Sequence, residues 1–462
     1  MPVVLLEWAL GMRRAGSERQ VQLTRSQHGP IDNLATSLIY IKRDLGAEVY
    51  TSQIMARVSW SEFAKLNRKL IATRRAAFWV AIFGFTSLKA DETSWTLPEI
   101  GPGKLNLDTR LRYEHNHAEN DPNDIDAFGL RTRIGYSWDW DSNVSSQIEV
   151  EDLRFIESDN RPPLDVPTTE VNQAWLDFGG LKLGRQVYTL DDHRFIGHVG
   201  WRQNIQSFDA LTGGMEIDQN TKLNMGYLAS VNRINASQQD LDGILLNGKR
   251  TLSNWLDLTA FAYLLDFEKT LLASSDTWGL RANGSRELPD GSLNYHLSYA
   301  RQSENSASAS PFELDYLAGE VSGTAWGSTF GIGVEILEGD GLSGFSTPLA
   351  TVHKFNGFAD AFAGASLGLG GGLSQGLKDY YARYSCTIPQ LEVPLTIAYH
   401  QFETQNLSDY LGSELDIVAT YRLSNHAQIL SKYARFDSDG PENVTYGGFD
   451  KTVFTIELNL SY

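Results

Sequence analysis

Ten residues at the C-terminus, Val453 to Tyr462, alternate apolar and polar side chains and stop on an aromatic ring. Successive side chains of a strand point to opposite faces, so Phe454, Ile456, Leu458, Leu460 and Tyr462 share one face and Thr455, Glu457, Asn459 and Ser461 the other. The same period of two governs Leu105 to Glu114, Ala127 to Trp138, Val144 to Phe155 and Val393 to Phe402, where it outweighs the helical period. Each segment reads as a strand with one face for lipid and one for a polar lumen.

Gly, Asn and Asp, which supply the conformations of tight hairpins, mark short turns at 141–143, 179–180, 218–220, 252–254, 290–291, 322–324, 389–390 and 424–425. They alternate with longer polar connections near 115–126, 156–168, 188–206, 232–243, 268–273, 303–312, 338–378, 403–412 and 437–448. Eight turns and nine loops join 18 strands. The pattern therefore predicts an all-β chain: a single transmembrane antiparallel β-barrel of about 18 strands over 105–462, with short periplasmic turns and longer extracellular loops. Closure requires the last strand to pair with Leu105 to Glu114, bringing Glu457 and Asn459 beside Arg110 and Arg112. The chain has no run of 18 apolar residues, so no helix is predicted to span a membrane. A soluble propeller or solenoid would need a blade-length repeat, which is missing.

The N-terminal part follows another pattern. Arg68, Lys69, Arg74 and Arg75 precede the apolar segment Ala76 to Leu88 and the small residue Ala90, the order of a secretory signal peptide. We expect a signal peptide at 55–90 starting from Met55, an over-extended segment at 1–54, and a periplasmic lead at 91–104 before the barrel. The first 90 residues hold 13 Lys and Arg against 6 Asp and Glu; of totals of 39 and 57, this leaves 26 basic and 51 acidic residues, a charge near −25. Such acidity disfavours nucleic acid as a partner. The single cysteine, Cys386, excludes an internal disulfide and any cysteine-based zinc framework.

Aromatic residues, 11% of the chain, collect at strand ends, among them Tyr113, Tyr136, Trp138, Trp140, Tyr227, Tyr299, Trp326, Tyr399 and Tyr421, as interfacial girdles require. Basic residues recur on faces read as inward: Arg110, Arg112, Arg131, Arg133, Arg154, Arg185, Arg383, Lys432 and Arg435. A ring of cations inside a barrel selects anions. Glu114, Glu149, Glu151, Glu414, Asp416 and Glu457 lie on comparable faces, so a network of lumenal salt bridges that stiffens the wall stays open as a second reading.

Two loop segments stand out. One runs from Gly184-Arg185-Gln186 through Asp191-Asp192-His193-Arg194-Phe195-Ile196-Gly197 to Trp201-Arg202-Gln203 and Phe208-Asp209. The other runs from Phe345-Ser346-Thr347-Pro348 through His353-Lys354-Phe355-Asn356-Gly357-Phe358-Ala359-Asp360. At these residues the chain resembles the alginate-export family of outer-membrane barrels, over most of 105–462. The resemblance implies an 18-stranded monomeric barrel with a polar, arginine-lined conduit. Several departures limit the transfer of function: every inferred periplasmic turn is short where the alginate exporter has a long gating loop, the mature chain is fairly short and very acidic, Phe358 stands where an indole is common, and Gly364 to Gly376 is glycine-rich.

Arg185, Arg194 and Arg202 offer forked donors for carboxylates and Lys354 a point charge. Asp191, Asp192, Asp209 and Asp360 are placed to fix those cations, or to pin in-folded loops to the wall. Asp437-Ser438-Asp439-Gly440 and Asp240-Leu241-Asp242-Gly243 lack the full calcium-loop ligand series. His296 and Ser298 share a face, but nucleophilic catalysis also needs an orienting partner and oxyanion donors. The expectation is thus a channel for polar or anionic solutes, uronate polymers or oligomers leading, with no catalytic residue, metal or cofactor. The alternatives are a general porin without saccharide preference and, from another class, a barrel hydrolase. Expected partners are outer-membrane lipid and lipopolysaccharide, the barrel-assembly machinery, and periplasmic or inner-membrane export proteins.

Overall fold

The computed structural model describes residues 103–121, 124–269, 273–305, 311–366, 373–440 and 448–462. The expected leader and upstream segment lie outside these residues, as does 367–372 of the glycine-rich stretch. The first nine strands are β1 (Gly103–Ala118), β2 (Ile125–Asp139), β3 (Val144–Asp159), β4 (Thr169–Phe178), β5 (Leu181–Gln186), β6 (Ser207–Asp218), β7 (Thr221–Asn232), β8 (Gln238–Ser253) and β9 (Leu256–Phe267). The second nine are β10 (Ser275–Leu288), β11 (Gly291–Ser303), β12 (Glu313–Ala325), β13 (Ser328–Leu337), β14 (Leu377–Ile388), β15 (Val393–Glu403), β16 (Tyr410–Arg422), β17 (Ala427–Ser438) and β18 (Lys451–Ser461). Each pairs antiparallel with its neighbour in sequence, and β1 with β18, so the sheet closes into an 18-stranded barrel. The seam sets Arg110 opposite Asn459 and Arg112 opposite Glu457, as the alternation predicts.

Large apolar side chains crowd the outer face, for example Ile148 and Val150 on β3, Leu181 and Leu183 on β5, and Leu293 and Leu297 on β11. A closed barrel leaves no strand edge unpaired, which is what lets an apolar-coated sheet sit in hydrocarbon. At one rim Trp138 meets Tyr136 edge-on and stacks on Trp140, with ring centroids 4.4 and 6.2 Å apart. At the β12–β13 hairpin the structure corrects the expected turn at 322–324: pairing runs on to Ala325 opposite Ser328. The chain reverses at Trp326 and Gly327, both at positive φ (50° and 75°). The connection expected at 232–243 is also shorter, because Gln238 onward belongs to β8. Asp240 to Gly243 are therefore strand residues, and their likeness to a calcium loop is lost.

The inside of the barrel is not empty. Phe195, Ile196, Phe345 and Leu349, from the β5–β6 and β13–β14 connections, pack with inward residues such as Phe208, Leu245, Phe261 and Tyr316. Phe362 meets Phe402 and Phe436 on the far wall, with centroids 4.8 and 5.6 Å away. These connections fold into the lumen and carry an apolar core there.

Candidate functional site

The two in-folded loops clasp each other. Ile196 and Leu349 form a parallel bridge; Gly197 N–H donates to the Leu349 carbonyl (2.8 Å) and Thr351 N–H to that of His193 (3.0 Å). Gln206 Nε2 donates to the Gly197 and Leu349 carbonyls (2.8 and 3.2 Å). The clasp imposes strain: Asp191, His193, Val199, Asn356 and Asp360 all hold positive φ. For the β-branched Val199, at 53°, this is an unusual conformation. It persists because Val199 N–H is held by Thr351 Oγ1 at 3.0 Å.

Arg194 sits at the centre, fully buried. Its Nε donates to Glu335 (2.7 Å), and its two terminal nitrogens donate to Thr347 (3.1 Å) and Asn356 (3.3 Å). Burial alone would lower its pKa, but Glu335 and Tyr316 raise it above the ordinary guanidinium value, so the cation is secure. One side chain thus ties the first loop, the second loop and the β13 wall together.

The wall also grips the clasp from β1 and β16, three strands apart on the ring. On β1, Arg110 donates to the carbonyls of Gly200 (3.1 Å), Trp201 (3.3 Å) and Arg202 (2.9 Å), while Arg112 reaches Trp201 and pairs with Glu457 (2.5 Å). Arg202 pairs with Asp165 (2.7 Å) and Glu114 (3.4 Å). On β16, Glu414 accepts the Ala359 N–H (2.6 Å) and Asp416 the Phe358 N–H (3.1 Å). Between them His353 stacks on Trp201, centroids 3.4 Å apart. Its Nδ1 faces Asp360 at 3.0 Å and its Nε2 lies 3.0 Å from Lys432 Nζ. Burial pushes the His353 pKa down to about 4, with Asp360 opposing, so the ring is neutral at pH 7. Asp360, although buried, is held below its ordinary value by His353.

Of the expected path residues, Arg110, Arg112, Arg131 and Arg133 face inward, and each meets an acid: Glu457 for the first two, Asp108 for Arg131 and Glu151 for Arg133. Arg383 also faces inward, paired with Glu320 and 5.7 Å from the Tyr381 ring. Arg154, Arg185 and Arg435 do not face inward. Arg154 keeps the parity of Ile148 and Val150, and Arg185 that of Leu181 and Leu183, whereas Arg435, three residues from Lys432, falls on the opposite face. All three are outer-face ion pairs, with Asp152 (2.7 Å), Asp209 (2.7 Å) and Asp437 (2.8 Å).

The expected acids also redistribute. Asp191 and Asp192 hold Arg281 of β10 (2.9 and 3.2 Å) rather than the Arg194 guanidinium, Asp360 holds His353, and Asp209 alone binds an arginine named with it, Arg185. Sequence reasoning missed Glu335, Asp165, Arg281 and Glu320. Arg281 and Glu335 had a readable signal, since Arg281 alternates with Thr277, Gly279 and Asn283, and Glu335 with Thr329, Gly331 and Gly333, on the polar faces of their strands. His296 turns its Nδ1 to Asn283 (2.6 Å) and its Nε2 toward Asp192 (3.9 Å), so it is not paired with Ser298.

The architecture and its in-folded loops can be set against known proteins. No match is found among curated proteins. Solved barrels share the fold at low identity: Pseudomonas aeruginosa OpdK with vanillate (15% identity, TM-score 0.61, covering 78% of this chain and 99% of that one). Pseudomonas aeruginosa OpdQ is similar at 13% identity and a TM-score of 0.61, covering 79% and 99%. Acinetobacter baumannii OccAB2 is similar at 12% and 0.63, covering 79% and 99%. The Alginate export family matches residues 102–335, just over half of the 462-residue chain. The chain is an outer-membrane β-barrel that belongs to the alginate export family.

Proposed function

We propose that this barrel is a passive channel for polar and anionic solutes, with uronate oligosaccharides or polysaccharides as the leading class. The observation that carries the reading is the loop clasp, which narrows the lumen and sets Lys354, His193 and His198 beside the inward cations Arg110 and Arg133. Arginine and lysine in a narrow, partly desolvated passage favour carboxylates over cations. Membership of a family described by alginate export, and a barrel of the same fold solved with vanillate, support organic anions as cargo. The chain reaches the outer membrane through the leader at 55–90, works as a monomer, and meets lipopolysaccharide and export partners at its two rims.

A second reading is a general porin without saccharide preference, favoured by the pairing of the inward arginines with acids. Reversal potential in a salt gradient, together with current block by polyuronate, separates the two. Anion selectivity with block is the expected result; cation selectivity without block would sink the anion reading. The general porin would conduct with weak selectivity and no block.

A further inference from the structure

The inward arginines share a feature that weakens them as solute contacts: a carboxylate already stands against each guanidinium described above. A paired charge contributes little potential to the water beside it, because the acid cancels it within a few ångströms. The cations that shape the lumen must then be those without an acid.

One exposed side chain of the clasp, Lys354, fits that description, and the rings of His198 and His193 lie beside it. Lys354 is exposed; among the described residues its one polar contact is the Asp192 backbone carbonyl (3.1 Å) and no carboxylate lies within ion-pair distance of it. His198 accepts the Gly200 N–H at Nδ1 (2.9 Å), which puts its own proton on Nε2, a donor with no protein acceptor among the described residues. His193 packs edge-on against it, centroids 5.0 Å apart. Arg110 of β1, Arg133 of β2, Lys354 and His193 are the charged and titratable groups that bear on His198, and all four act in the same direction. Against His193 stand Lys354 and the single acid Asp192, whose carboxylate is already engaged by Arg281. The strained backbone at His193 and Val199 holds the rings at this spot.

We propose that Lys354, with the Nε2–H of His198 and the edge of His193, is the specificity determinant of the channel, taking the carboxylate of an organic anion, while the paired arginines hold the loops that carry it. This rests on the anion-channel reading and adds which residues impose it. A point charge on a flexible stem suits a transit contact, because it follows a moving carboxylate without the two-pronged fit of a guanidinium.

The test is the permeability ratio of purified barrels in planar bilayers under a KCl gradient, with sodium glucuronate as the blocking probe. Lys354→Gln should move the ratio toward cations by roughly three- to tenfold and raise the glucuronate concentration for half-block; Lys354→Arg should keep the wild-type ratio. Removing a balanced pair, Glu320→Gln with Arg383→Gln, should leave the ratio unchanged. Should Lys354→Gln insert poorly, Lys354→Cys in a Cys386→Ser background can be alkylated with cationic or anionic thiol reagents, the cationic one restoring the wild-type ratio. An unchanged ratio in Lys354→Gln, or an equal shift in the balanced-pair variant, overturns the proposal. The sign of the wild-type reversal potential judges the anion-channel reading separately, so the two can fail independently.

Discussion

Replacing Arg194 by methionine removes the buried cation that joins both loops to the β13 wall. Glu335, 4% exposed, is then left with Tyr316 Oη (2.6 Å) and Asn356 Nδ2 (2.6 Å) as its remaining partners. Breaking a buried pair from one side costs about 3–5 kcal/mol, mostly for the stranded charge, and those two donors place the expected cost near about 3 kcal/mol. The two backbone hydrogen bonds between the loops (Gly197 to Leu349, Thr351 to His193) contribute only about 1 kcal/mol each. The loss therefore exceeds what the bridge supplies, and the unclasped population should rise about a hundredfold. The strand ladder is untouched, so heat-modifiable migration in gels should stay as in the wild type. Single-channel recording should show frequent steps to a higher conductance. Adding Glu335→Gln removes the stranded charge and should restore part of the quiet state. A single variant as quiet as the wild type, or a double variant noisier than the single one, would refute the argument.

Further outcomes follow from other contacts. Gly357 holds φ +85°, and a Cβ there would collide with the Glu414 carboxyl; Gly357→Ala should loosen the second loop and speed its proteolysis in reconstituted vesicles, and unchanged cleavage would contradict this. Arg110→Ala removes donors to three loop carbonyls, each such bond being worth about 1.5–3 kcal/mol, so open-channel noise should rise. Burial holds His353 near pKa 4 instead of its ordinary value of 6.5, so between those values the unfolded state binds more protons. The stabilisation of the clasp by neutral His353 is then full above about pH 6.5 and lost as pH falls toward 4, by up to about 3 kcal/mol. Noise should grow over that window in the wild type and stay flat in His353→Asn.

The barrel was legible because period two is a local property. A polar side chain in hydrocarbon is costly enough to force alternation into nearly every strand, and Gly179-Gly180 or Ser424-Asn425 mark turns by their own backbone needs. The hairpin at Trp326-Gly327 escaped since an aromatic is a poor turn signal and Ser322-Gly323-Thr324 offered a better one. Facing errors had another cause. β3 runs for 16 residues, longer than the 9–11 that cross hydrocarbon, so Arg154 stands on the outer face beyond the apolar belt, where charge is tolerated. The clasp pairings were not legible at all: Glu335 lies 141 residues from Arg194, and Asp165 is 37 from Arg202 within another loop. No local pattern encodes such distant contacts.

The loops that meet over the lumen spring from β5–β6 and β13–β14, eight strands apart on a ring of 18 and so nearly across a diameter. A hollow cylinder of paired strands resists stretching along its hydrogen bonds but yields readily to ovalisation. The clasp, gripped by β1 on one side and by Arg281 of β10 on the opposite one, works against that weakness as a spoke works in a wheel. Lateral pressure from the membrane then reaches the passage as a pull or push on the Ile196–Leu349 bridge, so the aperture and the roundness of the wall are one mechanical variable.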